Sequence, residues 1–142
     1  MVLTLPFRTR SLSKYGPLRW ANIILGGCQM TQIELLYDGN LVIGFNMEGH
    51  AQYNVNGPDI LCSSLSTSSQ MTLNGILDWT GLSIEEVVKE YNTAKGILNI
   101  EVPKPFYENV TVQQLFKSFI MFVEQLERQY TENIKIERRQ KE

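Results

Sequence analysis

The residue types best suited to nucleophilic chemistry in this chain are a histidine and a cysteine, placed twelve residues apart. His50 is the only histidine, and Cys62 is one of two cysteines. An alternating apolar run ends at His50 and a predicted helix opens around Cys62, so both lie at junctions between elements. Because an imidazole titrates near neutral pH, we expect His50 to act as the base for the Cys62 thiol.

The predicted helix start favours a reactive thiol. Asp59 follows Gly57 and Pro58, which interrupt the preceding structure, and aspartate is a favoured N-cap residue. Cys62 is then expected at about the third helical position. Unpaired N–H groups and the helix dipole lower a cysteine pKa below its usual value of about 8.5. The N–H groups of Cys62 and its neighbours are also suited to binding the oxyanion of a tetrahedral intermediate.

A purely structural interpretation of the same two residues stays open. Buried cysteines commonly behave as small apolar residues, and a histidine at a strand end commonly bonds to backbone groups. Composition alone favours this interpretation for Cys62 and His50. The order of the two residues and their setting at element junctions favour chemistry instead.

The residues around this pair resemble the ribosomal-processing cysteine protease family, Prp. The family pattern is Gly-His-Ala, a loop, and then Asp-Ile-Val-Cys-Ala-Ala-x-Ser. The chain is similar to it at Gly49-His50-Ala51, at Asp59-Ile60-Leu61-Cys62 and at Ser66. The resemblance implies that His50 and Cys62 form the catalytic dyad, and that Gly49, Asp59 and Ser66 support the site. Ser63 and Ser64 stand where the family has Ala or Gly.

The same resemblance implies a function. The chain would be a cysteine endopeptidase, a thiol protease of the hydrolase class. It would remove the N-terminal extension of large-subunit ribosomal protein number twenty-seven, a step needed for ribosome assembly. The resemblance also implies a homodimer and no cofactor. The alternative is a non-catalytic, ribosome-associated interaction protein of the same fold, which would be indifferent to loss of Cys62.

A loop joins the two candidate catalytic residues. It contains Asn54, Val55, Asn56, Gly57 and Pro58, which have weak backbone preferences and offer one apolar anchor. We predict that this loop is mobile without substrate, becomes ordered on peptide binding and so gates the dyad. An ordinary surface loop is the competing interpretation.

Residues 1–29 differ from the rest of the chain. They carry Arg8, Arg10, Lys14 and Arg19 and no acidic residue, and a ribosome-binding sequence can be encoded at Gly26-Gly27 just before Met30. We interpret them as a segment that is non-native or disordered, with residues 30–142 forming the cysteine protease domain. A basic arm that binds ribosomal RNA is the rival interpretation.

Composition indicates one domain and argues against a membrane protein, a disulfide, a zinc site and direct nucleic-acid binding. The chain has 142 residues, 43% of them hydrophobic, which suits one domain with one core, and no apolar run is long enough to span a membrane. Without Cys28, Cys62 cannot form an intramolecular disulfide, so a reducing cytoplasm is expected. One histidine and one cysteine do not supply a zinc site, and we expect no metal. Residues 30–142 are net acidic, which argues against direct nucleic-acid binding.

Hydrophobic periodicity predicts an α+β fold, a small and mainly antiparallel sheet with two helices. An Asp38-Gly39 turn indicates a hairpin. The segment 82–92 is ambiguous, because Ser83 and Glu86 form a possible capping box, but its position favours a strand. The predicted order is strands 31–37 and 41–48, helix 59–79, strands 82–92 and 97–102, helix 111–130 capped by Thr111 and Gln114, and an edge-like strand 133–138.

For each of the two predicted helices, the sequence allows two packing partners. Small polar side chains from Ser63 to Ser69 allow close backbone approach, either to the sheet or to a partner. An aromatic and aliphatic stripe along helix 111–130 is typical of a core-facing surface, with a subunit interface as the alternative.

Overall fold

The computed structural model describes residues 30–49, 58–92 and 95–142. The predicted α+β fold is confirmed. Two long helices and one short helix accompany five strands, in the order β1 (Thr31–Asp38), β2 (Leu41–Glu48), α1 (Pro58–Thr80), α2 (Ile84–Val87), β3 (Val88–Asn92), β4 (Ile97–Glu101), a 3-10 turn (Lys104–Phe106), α3 (Val110–Gln129) and β5 (Ile134–Gln140). Residues 1–29 lie outside the described part, so the interpretation of that segment stays a prediction.

The hairpin forms where the sequence predicts it. Asp38 pairs with Leu41, which leaves Gly39 and Asn40 as the two turn residues. Gly39 has a φ of 64°. A two-residue hairpin turn with a positive φ at its first position favours glycine, since a Cβ is strained in that conformation.

The sheet has the strand order β3-β4-β2-β1-β5. Three neighbouring pairs are antiparallel, but β1 and β5 are parallel, so the sheet is mixed. The last strand lies at an edge, as expected. The segments β2-α1-β3 and β4-α3-β5 each connect parallel strands of the sheet, and right-handed crossovers of this kind place both helices on one face.

The core lies between that helical layer and the sheet. The ring of Phe45 on β2 stacks on Phe119 of α3, with centroids 4.3 Å apart, and Phe116 meets Phe45 edge to face at 6.5 Å. Ile33 and Leu35 on β1 are buried beside them. Each such side chain stabilises the fold by about 1.5–3 kcal/mol when fully buried, so β1, β2 and α3 form a rigid base.

The structure corrects the sequence assignment in the segment 82–92 and at the start of α3. Residues 84–87 form helix α2 and not strand, because the backbone N–H of Ser83 donates to Glu86 Oε1 at 3.0 Å while Ile84 and Val87 are buried. That side-chain bond with Ser83 also lowers the pKa of Glu86. Helix α3 begins at Val110, and its cap is Asn109, whose side chain accepts from the N–H of Val112 at 3.0 Å.

Candidate functional site

Helix α1 begins earlier than predicted, which changes the position of Cys62. Its first residue is Pro58, so Cys62 is the fifth residue and Asp59 lies in the first turn, not at the N-cap. Proline suits the first helical position because its missing N–H has no partner there. The N–H groups that lack an intrahelical acceptor belong to the turn before Cys62. The amide of Cys62 lies beyond that turn, where backbone N–H groups bond within the helix.

Cys62 lies on the buried face of α1, and the buried residues Ser66 and Ser69 follow it on that face. The residue is 3% exposed, Ser66 is 6% exposed and Ser69 is fully buried. The Ser66 hydroxyl donates to the carbonyl of Cys62 at 2.8 Å, and the Ser69 hydroxyl donates to the carbonyl of Ser66 at 3.1 Å. Both serine hydroxyls therefore have hydrogen-bond acceptors within α1, as buried polar groups usually do.

Gly49 lies where β2 leaves the sheet beside the start of β1. Its N–H donates to the carbonyl of Gly96 at 3.2 Å. A Cβ at this position would lie 2.7 Å from Thr31 Cα and 3.0 Å from the carbonyl oxygen of Met30. Because these are backbone atoms of a paired strand, only glycine fits the observed path. Gly49 thus sets the direction of the chain immediately before residue 50.

The structure locates some of the predicted site residues. Ser66 bonds to the carbonyl of Cys62, and the close approach of Thr31 explains why residue 49 is a glycine. His50 and the loop residues 54–57 lie outside the described residues, while Pro58 belongs to α1. The sequence analysis missed Ser69 and Thr31. A signal for Ser69 is available, since residues 62, 66 and 69 share one helical face.

A groove of about 510 Å³ lies between α1 and α3, and it is separate from the Cys62 face. Its lining residues are Ser63, Ser64, Thr67, Ser68, Met71, Thr72, Leu115, Ser118, Phe119 and Phe122. Ser64 and Ser68 follow Cys62 and Ser66 by two residues, which is about 200° around a helix. The groove therefore opens on the side of α1 opposite the thiol.

The described residues form neither a metal-binding cluster nor a membrane-spanning helix. Among the residues that the structure describes, no three His, Cys, Asp or Glu side chains are grouped closely enough to hold a metal ion. No helix in the described ranges has the length and apolar character needed to cross a membrane.

Comparison with known proteins identifies the family. A sequence profile described as cysteine protease Prp matches residues 30–135, which include both motifs around Cys62. The chain belongs to this family. Membership in Prp makes it a cysteine peptidase. No curated protein sequence matches the chain.

Solved structures share the fold. SMU.848 from Streptococcus mutans has a TM-score of 0.67 at 20% identity, over 80% of this chain and 97% of that one. The ribosomal processing protease Prp from S. aureus with a substrate peptide gives 0.63 at 21% identity, over 78% of this chain and all of that one. The same protease with a covalently linked product peptide gives 0.62 at 24% identity over the same shares. At these identities the likeness establishes the fold.

Proposed function

We propose that this chain is a ribosomal processing peptidase. It removes the N-terminal extension of large-subunit ribosomal protein number twenty-seven and so permits ribosome assembly. The observation that carries the proposal is the position of Cys62 near the start of α1, inside the region that matches the Prp profile. Similarity to the S. aureus ribosomal processing protease supports the substrate class.

The proposed chemistry is acyl transfer through a Cys62–His50 dyad. The Cys62 sulfur attacks the scissile carbonyl while His50 takes the thiol proton and then delivers it to the leaving amine. The amides of the first turn of α1 hold the oxyanion. The amine leaves, a thioester forms on Cys62, and water then hydrolyses it to release the new carboxylate and regenerate the thiol.

Access to the thiol is part of the proposal. Cys62 is 3% exposed, so its sulfur has to be uncovered before it reaches a peptide carbonyl. We propose that residues 54–58 gate substrate access, because they join the two members of the dyad in sequence and end at the first residue of α1. Substrate binding would then couple loop ordering to exposure of the nucleophile.

Supporting roles follow from the contacts. Gly49 holds the exit of β2 close to β1, and Ser66 bonds to the carbonyl of Cys62. Asp59 lies in the first turn of α1, where a negative charge interacts favourably with the helix dipole. We further propose a cytoplasmic homodimer that uses no metal or cofactor and does not bind nucleic acid directly.

The direct test is cleavage of the extended ribosomal protein by purified enzyme under reducing conditions. Mass spectrometry should show one cut that separates the extension from the mature protein. Cys62→Ala should abolish the cut while retaining the fold, because a small buried residue replaces another and no other group supplies the nucleophile.

The opposite results are informative. Uncut substrate with the unmodified enzyme would contradict the proposal, and stable binding without cleavage would favour an interaction protein. Turnover near the unmodified level in Cys62→Ala would exclude Cys62 as the nucleophile.

A further inference from the structure

The turn between β3 and β4 lies beside the exit of β2. Asn92, the last residue of β3, pairs with Ile97 at the start of β4, so residues 93–96 connect the two strands. The connection ends at Gly96, whose φ is 67°, a left-handed conformation that strains any residue with a Cβ. The backbone N–H of Lys95 donates to the side-chain oxygen of Asn92 at 3.1 Å and closes the turn. The turn therefore determines where the carbonyl of Gly96 points.

That carbonyl continues the pairing of β2 with β4 beyond the last residue of β2. The register of the two strands pairs Glu48 with Ile97, which places Gly49 opposite Gly96. The N–H of Gly49 donates to the carbonyl of Gly96 at 3.2 Å. Consecutive Cα atoms are about 3.8 Å apart, so this bond is made within one residue of His50, the candidate base.

Strands on both sides of β2 hold Gly49. On the side of β1, the backbone of Thr31 lies so close that a Cβ on Gly49 would be 2.7 Å from it. This contact limits only how near the two backbones come. The hydrogen bond to Gly96 on the side of β4 is directional, because it weakens steeply when donor and acceptor are misaligned. The orientation of Gly49, where the segment with His50 begins, therefore depends on Gly96.

We propose that Gly96 is a positioning residue for His50. The inference rests on the proposed function, in which His50 serves as the base for Cys62. Proton transfer requires the imidazole to lie within hydrogen-bond reach of the thiol, and a misplacement of about 1 Å costs about a hundredfold in rate. Gly96 acts through Gly49 and supplies no reacting group.

Gly39 is the control that separates positioning from stability. Its φ is 64°, and a Cβ there would meet no heavy atom of the described residues within 4 Å. It lies in the turn before β2, whereas Gly96 lies beside the other end of that strand. The eight residues of β2 separate the two ends by about 26 Å. Gly39→Ala therefore introduces the same backbone strain far from the site.

The first measurement is cleavage of the extended ribosomal protein by the alanine variants of Gly96 and Gly39. Both variants should have a lower urea midpoint, because alanine is strained at a positive φ. Only Gly96→Ala should lower kcat, by about 10–100-fold, with little change in KM. Gly96→Asn should recover most of the loss, since asparagine adopts the left-handed conformation more readily than alanine.

The second measurement does not depend on turnover. His50 is the only histidine of the chain, so its imidazole gives one unambiguous set of NMR signals. A thiolate beside an imidazolium raises the pH at which the imidazole titrates. We expect Cys62→Ala to lower the titration midpoint of His50 and Gly96→Ala to shift it in the same direction. Gly39→Ala should leave it unchanged.

A second pair of variants protects the test against misfolding of Gly96→Ala. Asn92→Ala removes the side chain that accepts from the N–H of Lys95, which loosens the turn without strain at residue 96. Asn109→Ala removes a similar bond of 3.0 Å to the N–H of Val112 at the start of α3. Asn92→Ala should lower kcat and shift the titration of His50, whereas Asn109→Ala should lower stability alone. If Gly96→Ala fails to fold, this pair decides.

Two results would overturn the inference. One is a folded Gly96→Ala variant in which the titration midpoint of His50 is unchanged, whether or not the chain cleaves this substrate. The other is an equal loss of kcat in Gly96→Ala and Gly39→Ala, which would assign Gly96 a role in stability alone. Uncut substrate with the unmodified chain would instead contradict the peptidase proposal, and the titration of His50 would still test Gly96.

Discussion

At the scale of single residues, Cys62 combines two properties that usually occur apart. It packs as a small buried side chain at 3% exposure, and it is the fifth residue of α1, about one turn after the helix start. Burial keeps the thiol from adventitious reaction, while the nearby amides are suited to stabilise negative charge during attack. The proposed reaction therefore requires a partner that removes the thiol proton.

The first prediction concerns that partner. We expect His50→Ala to lower kcat/KM for the extended ribosomal protein by about 10²–10⁴, the usual contribution of a positioned general base or ion pair. The loss should be largest below neutral pH, because the variant then depends on the small fraction of thiolate that forms unaided. A pH profile of both enzymes tests this. A loss smaller than tenfold across the profile would assign His50 a structural role.

Some residues of the candidate site could be predicted from the sequence and others could not. Gly49 and Ser66 were expected only from the resemblance to Prp, whereas Cys62 was also expected from its place near a helix start. The structure gives physical contacts for Gly49 and Ser66. Ser69 was not predicted because the helix contains many serines, and only their burial in the folded chain distinguishes Ser66 and Ser69 from the others. Thr31 was missed because its approach to Gly49 joins positions far apart in sequence.

At the scale of elements, the backbone of β1 leaves no room for a side chain at Gly49, just after β2. We predict that Gly49→Ala lowers the free energy of unfolding by about 1–3 kcal/mol, because the new Cβ would overlap the backbone of Thr31. Cleavage should fall as well, since any relief of this overlap moves the chain just before His50. Urea denaturation and cleavage of the extended protein measure the two effects.

Gly75→Ala is the matched control for that change. A Cβ at Gly75 would lie 3.2 Å from the side chain of Leu115, which is partly exposed and able to move. Alanine also favours a helix over glycine by about 1 kcal/mol. The control should therefore keep its stability and activity. Equal losses in both variants would contradict a specific role for Gly49.

The elements differ in how far sequence predicts them. The β1–β2 hairpin was predicted closely, because a local turn signal lies between two alternating runs. The segment 82–92 was assigned to a strand, but its first half is α2. There the bond between Ser83 and Glu86 and the burial of Ile84 and Val87 outweigh the strand pattern. The start of α3 was misplaced because Asn109 offers a cap before Thr111.

At the scale of the whole molecule, the last strand connects distant parts of the chain. Strand β5 is parallel to β1, which starts about a hundred residues earlier, and this pairing carries no local signal in the sequence. Its position depends on α3 crossing the sheet after β4. At the last residue of β5, the side chain of Gln140 makes two hydrogen bonds of 2.9 Å with the backbone of Gly39 in the hairpin turn.

Lys141 extends these contacts at the far end of the sheet. Its Nζ donates to Tyr107 at 2.9 Å and to Glu101 at 3.1 Å, and its backbone N–H donates to Tyr37 at 2.7 Å. The hydrogen bond with Tyr107 is the main cause that raises the pKa of Lys141, followed by Glu101. The chain end is thus tied to β4, to the segment before α3 and to β1.

The raised pKa fixes the pH dependence of this contribution. A lysine whose folded pKa lies above its unfolded value of about 10.4 stabilises the fold fully below that pH. The stabilisation is lost as the pH rises from there through the folded pKa. We therefore predict that Lys141→Met lowers the urea midpoint by a constant amount between pH 7 and pH 9, and that the two midpoints converge above about pH 10.4.

Lys135→Met is the control for this prediction. Lys135 pairs with Glu137 at 3.8 Å, both side chains are more than half exposed, and such surface pairs contribute little to stability. Its midpoint should follow that of the unmodified chain at every pH. A gap for Lys141→Met that stays constant above pH 11 would show that the charge of Lys141 is not the source of its effect.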